Sequence, residues 1–158
     1  MPLTQDIVQS WRHPRAVVRR LTDRAPSEPF AFSLLTTFLL LALVAATPKL
    51  AREAYLHPET TLVQRLYAAG LGLLVTIPIW YLLAALGHVA ARAFGGKGSY
   101  YGGRIALFWA MVTIAPGMLL HGLVQGFLGL TSLSTGLGVL VAIGFLALWL
   151  GMLQEVER

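Results

Sequence analysis

Cysteine is absent from this chain. That excludes disulfides, thiolate nucleophiles and thiolate metal sites, and says nothing about compartment. Lysine is scarce: of twelve basic residues only Lys49 and Lys97 are lysines. The arginine bias, with many Ala and Leu, suits a GC-rich bacterial genome. Charge of either sign is scarce too. Charged residues make up 12 % of the chain, against ~25 % in soluble domains, and hydrophobic residues 56 %. From Ile105 to Gln154 there is no Asp, Glu, Lys or Arg at all. A domain of 158 residues has no soluble interior able to hide fifty such residues. A bilayer core ~30 Å thick takes a helix of ~20 apolar residues per crossing. This stretch therefore holds two crossings and a turn.

Two further apolar runs lie upstream. The chain is predicted to be all-α, a polytopic membrane protein with four transmembrane helices in a bundle. The spans are placed at about residues 29–47, 66–91, 105–124 and 137–152. One membrane domain, 29–153, then carries a basic amphipathic segment, 1–28, and a short tail, 154–158. There is no room for a second globular domain of ordinary size. The first apolar run starts only at Phe30, behind a charged segment, so the N-terminal part reads as a retained signal-anchor and not a standard signal peptide. Span one is predicted to end at Pro48-Lys49, with Pro48 opening a separate short helix that His57-Pro58 ends. Span two is longer than a crossing needs and should tilt or bend. Pro78 near its middle removes a backbone hydrogen bond and predicts a kink. Arg92 to Arg104 forms a glycine-bearing loop. Gln125–Gly136, uncharged and rich in Gly, Ser and Thr, reads as a turn at the membrane edge.

The N-terminal segment is amphipathic. Leu3, Ile7 and Trp11 share a face, with Val8 beside them. His13-Pro14 breaks the pattern, and Pro14 can open a second helix as its first residue. There Val17, Val18 and Leu21 lie opposite Arg15, Arg19, Arg20 and Arg24. An apolar stripe with an arginine face predicts a helix lying in the membrane interface. The net charge of +5 therefore points to anionic phospholipids, not to nucleic acid. Basic residues also set orientation. Five arginines precede span one and three basic residues flank the glycine loop. With Arg158 that makes nine on one side against three on the other. Both termini and the glycine loop are predicted to face the cytoplasm of a bacterial inner membrane.

Gly95-Gly96-Lys97-Gly98-Ser99 invites comparison with a phosphate-binding P-loop, but the spacing is wrong. Position 91 is Ala, the residue after Lys97 is Gly98, and no strand precedes it. The plainer reading is structural: Gly95, Gly96 and Gly98 permit a tight turn between two membrane helices. The stretch from Leu86 to Leu119 (a helix end, Phe94-Gly-Gly-Lys-Gly-Ser-Tyr100, then an apolar span with Pro116) resembles the signature region of the Yip-domain family, the Ypt/Rab-interacting membrane proteins. Trp11-Arg-His-Pro-Arg15 is similar to the opening of its short bacterial members, where a Pro-Arg pair precedes an interfacial helix. The chain lacks the Asp-Leu-Tyr-Gly-Pro motif of the eukaryotic members and shows four spans where members often carry five. The Rab role is therefore not carried over. The resemblance implies a small multi-spanning membrane protein.

The four histidines are spread out: His13 and His57 precede prolines outside the spans, while His88 and His121 sit near opposite ends of theirs. No shared metal site follows. His88 and His121 are expected to hydrogen-bond near the interfaces. No Asp or Glu lies within a predicted span, which weighs against an ion-coupled transporter. Ser132, Ser134 and Thr135 have no acid near them in sequence, so no catalytic triad is legible. No catalytic, cofactor or metal residue is assigned. Small residues carry the remaining signal: Gly122 and Gly126 as G-x-x-x-G, and Gly144, Ala147 and Gly151 on one face of span four. Such faces let helix backbones approach in lipid, within the bundle or against another membrane protein or a second copy. The expected function is a non-enzymatic scaffold, assembly factor or accessory subunit. The alternative is a small transporter or channel, as an oligomer, with Pro78 and Pro116-Gly117 as breaks lining a site.

Overall fold

A computed structural model describes residues 3–158. Its helices are α1 (Leu3–Arg12), α2 (Pro14–Thr22), α3 (Glu28–Leu56), α4 (Leu62–Val75), α5 (Ile77–Ala93), α6 (Tyr100–Leu128) and α7 (Ser132–Val156). Taking α4 and α5 as one span, four apolar lengths are long enough to cross a membrane. The predicted all-α four-span bundle is what forms.

Local chemistry sets most boundaries. Ser27, Ser99 and Thr131 each cap a helix by accepting a backbone N–H, from Phe30, Gly102 and Ser134 respectively. Thr61 and Gln64 satisfy each other's backbone N–H in a reciprocal cap on α4. Pro14 is the first residue of α2, as expected. Span two breaks at Thr76, two residues before Pro78, which lies in the first turn of α5. Thr76 donates its hydroxyl to Leu73 O at 2.6 Å and accepts from the Trp80 indole at 3.0 Å. The break is thus hydrogen-bonded by side chains, as backbone in lipid requires.

Helix α6 is the axis of the bundle. From Ile105 to Ala115 every residue is at most 5 % exposed. Helices α3 and α7 flank it, and α5, α1 and α2 cover its first half. Gly122 and Gly126 seat α3: a Cβ at Gly122 would overlap the Ala45 carbonyl, and one at Gly126 would overlap Pro48. The G-x-x-x-G is therefore used inside the chain. Gly144 meets Ile114 of α6, its would-be Cβ 3.3 Å away. Gly151 has nothing within 4 Å and Ala147 is exposed, so the expected small-residue face of α7 divides into a packed part and an open part.

Three expectations need correction. Pro48 does not end span one, because α3 runs through it to Leu56. A proline removes one helical bond and normally kinks or breaks a helix. Here its ring packs in the notch left by Gly126, and the polar turns beyond it are joined by Lys49–Glu53 (3.8 Å) and Arg65–Glu53 (3.5 Å) ion pairs. Gln125–Gly136 is not a long turn either. The connection is only Gly129–Thr131, with Gly129 at φ 71° ending α6. The Gly, Ser and Thr there act as caps and close-contact positions. Finally, the stripe of Val17, Val18 and Leu21 does not lie in lipid. All three are buried in the common core, α2 packing on α6 and α7. Its companion α1 is held by Ser10, whose hydroxyl donates to Asp6 O (2.8 Å) and accepts from the Trp109 indole of α6 (2.9 Å).

Candidate functional site at the glycine loop

Antiparallel spans bring the α5–α6 loop and the C-terminal end of α7 to one end of the bundle. Phe94–Ser99 make the loop. Gly95 has φ 93°, a conformation that L side chains rarely adopt, as the turn reading expected. Gly96 and Gly98 are needed for space instead. A Cβ on Gly96 would come within 2.7 Å of Glu157 Oε2 and 2.9 Å of Ala91 O. On Gly98 it would overlap Val156 O.

What the glycines make room for is Glu157. Its backbone carbonyl accepts from Lys97 N–H at 2.7 Å. Its carboxylate accepts from Gly98 N–H at 3.0 Å and is hydrogen-bonded with His88 Nδ1 at 2.5 Å. The His88 and Glu157 side chains are 1 % and 4 % exposed. The Tyr100 ring lies over His88 with centroids 4.4 Å apart, and Gly103 on α6 lets the imidazole in, its would-be Cβ only 3.2 Å from His88 Cβ. A buried carboxylate is expensive unless paired and hydrogen-bonded. Here both oxygens are occupied. The cluster ties α5, the loop, α6 and α7 together, and every partner spans a long sequence separation. The sequence flagged His88 as a hydrogen-bonder but assigned it no partner. Glu157, in a short tail, carried no signal of its own.

Elsewhere the predicted residues disperse. Arg15 donates to Gln154 at 3.1 Å and Arg20 pairs with Asp6 and Gln9, while Arg19 and Arg24 are exposed. His57 is exposed beside Glu59 at 3.6 Å, and His13 is exposed. His121 packs against Gly138, with its Nδ1 buried and unpartnered among the described residues. No group of three His, Cys, Asp or Glu able to hold a metal occurs among the described residues.

A chain of four long apolar helices, with small-residue contacts between backbones and a buried His88–Glu157 pair joining three of them, is a polytopic α-helical membrane protein. A family model, the Yip1 domain, matches residues 8–157, and the chain belongs to that family. No curated protein and no solved structure matches it.

Proposed function

We propose that the protein is a non-catalytic scaffold, assembly factor or accessory subunit of a bacterial inner membrane, acting by helix packing and lipid contact. Its termini lie in the cytoplasm, and another membrane protein is its partner. The observation that carries this reading is the groove between α3 and α4. It has a volume of about 650 Å³ and is walled by Leu40, Leu43, Val63, Leu71 and Leu74 with Gly70 at its base. Helix α4 buries none of its residues, so half of a membrane span is left without a protein neighbour on most of its surface. A transporter would need a polar cavity at mid-membrane instead. Pro116 and Gly117 stay within a continuous α6, with Gly117 against Val141. They line no cavity among those described. Exposed Arg19 and Arg24, with Arg15 and Arg20, would meet anionic head groups beside the bundle.

Because the chain has no cysteine, a single introduced thiol reports one position. Leu71→Cys in the groove is expected to form a specific cross-linked adduct in membranes. Ile143→Cys, exposed on α7, is expected to form none. Equal labelling of both, or of neither, overturns the partner reading. Reporter fusions at Tyr55, Gly98 and Arg158 test orientation: only Tyr55 is expected to be exported, and an exported reporter at Gly98 sinks it.

A further inference from the structure

We propose that a second groove, between α5, the glycine loop and α7, binds one anionic phospholipid. This rests on the membrane reading but not on the protein-partner reading. The groove has a volume of about 690 Å³. Its apolar wall is Ala90, Trp149, Leu150 and Leu153, and its floor is the contact of Trp149 with Gly87, where a Cβ would lie 3.0 Å from the indole. Its mouth is the glycine loop, which joins the ends of two spans. That is head-group depth, with acyl-chain depth directly below.

The charge at the mouth selects the ligand. Lys97 is exposed, and its ammonium has no partner among the described residues. Arg158 is 69 % exposed and, among the described residues, reaches only Glu155, at 3.6 Å. Gln154, also on the wall, is held by the Arg15 guanidinium at 3.1 Å, which brings a third cation near. The one acid lining the groove, Glu157, is withdrawn: its carboxylate is turned into the protein and occupied by His88 and Gly98. A concave site with an apolar wall, exposed cations at the rim and its carboxylate internally paired fits a phosphodiester head group with its acyl chain. Basic pockets between membrane helices bind anionic head groups in this way. The phosphate sits at Lys97 and Arg158, and the chain runs along Trp149 and Leu150.

The test is native mass spectrometry of the full chain released from mild detergent, with equal amounts of phosphatidylglycerol and phosphatidylcholine added. Wild type is expected to retain one phosphatidylglycerol in preference. Lys97→Gln and Arg158→Gln are each expected to reduce that preference about fivefold. Ala90→Phe, at an exposed position on the wall, is expected to reduce retention of either lipid. Lys49→Gln, at the opposite end of the bundle and 43 % exposed, is expected to change nothing. Water-soluble glycerophosphate at millimolar concentration is expected not to compete. Equal retention of the two lipids by wild type overturns the proposal. So does a preference that survives loss of both Lys97 and Arg158, one that falls with the Lys49 variant instead, or displacement by glycerophosphate. None of the altered residues is buried, and an unchanged melting temperature confirms that each variant is folded. Loss of lipid preference with the Leu71→Cys adduct intact sinks this site alone, and the reverse sinks the partner reading alone.

Discussion

Spans two and three are similar in length, 32 and 29 residues, and span two is the more hydrophobic. Yet 56 % of the apolar stretch of α6 is buried, against 6 % for α4–α5. In water this would be a paradox. In a bilayer it is expected, because lipid tails are as apolar as leucine and hydrophobicity alone does not pull helices together. What draws neighbours to α6 is shape and polar pairing. Gly103, Gly122 and Gly126 let His88, Ala45 and Pro48 approach its backbone. Trp109 hydrogen-bonds α1 to it. Helix α4 has Gly70 and Gly72, but nothing of the protein fills the space at Gly72. Its partner half, α5, packs on α3 and α6 through Trp80, Tyr81 and Ala84 and is tied by polar groups at the end where His88 meets Glu157.

The largest effect should come from the middle of α6. Trp109→Ala removes a fully buried indole and its bond to Ser10, and is expected to cost about 3 kcal/mol or more. Tyr67→Ala on α4, at a position 71 % exposed, is expected to stay within about 0.5 kcal/mol. Reversible unfolding in mixed micelles measures both. Similar losses at the two positions would break the contrast.

Next come the glycines. Gly122→Ala puts a methyl group onto the Ala45 carbonyl and is expected to cost about 1–3 kcal/mol. The same change at Gly72 meets open space and is expected to be neutral or to stabilise by up to about 1 kcal/mol through helix propensity. Opposite signs in melting temperature would sharpen the comparison. A Gly122→Ala protein as stable as wild type would end it.

Glu157→Ala tests what holds α5. It leaves buried His88 Nδ1 without its partner and the half-buried Gly98 N–H without its acceptor, at an expected cost of about 1–3 kcal/mol. Hydrogen exchange should rise at the loop and the end of α5 while α3 and the middle of α6 stay protected. Uniform exchange across all spans would contradict a local anchor. Gly95→Ala follows at about 1 kcal/mol, from its positive φ. Smallest is Lys97→Gln, expected to change stability by less than about 0.5 kcal/mol because no described partner is lost.

Much of the architecture was legible before any coordinates. The four spans, the break at His13-Pro14 and the break ahead of Pro78 all follow from short stretches of chain. The site was legible only in part. Gly95 takes the positive φ of a turn and His88 has a hydrogen-bond partner. Gly96 and Gly98 proved to be spacers for a carboxylate 59 residues or more along the chain. Pro48 shows the same limit: its local chemistry says stop, and its seat on Gly126 lets the helix continue.

What the sequence determined by itself is whatever the bilayer tests one segment at a time. A length of about 20 apolar residues spans the core, and backbone groups in lipid must be satisfied within a helix, so the crossings and their all-helical class need no knowledge of neighbours. Caps and proline breaks are equally local. Only the tertiary structure decided that α6 is central, that Val17, Val18 and Leu21 face protein and not lipid, and that Glu157 closes the glycine loop over His88. The physical reason is that lipid and protein interior are nearly equal solvents for an apolar side chain. Which face meets which is then settled by fit between backbones and by buried polar pairs, and these are properties of two segments together.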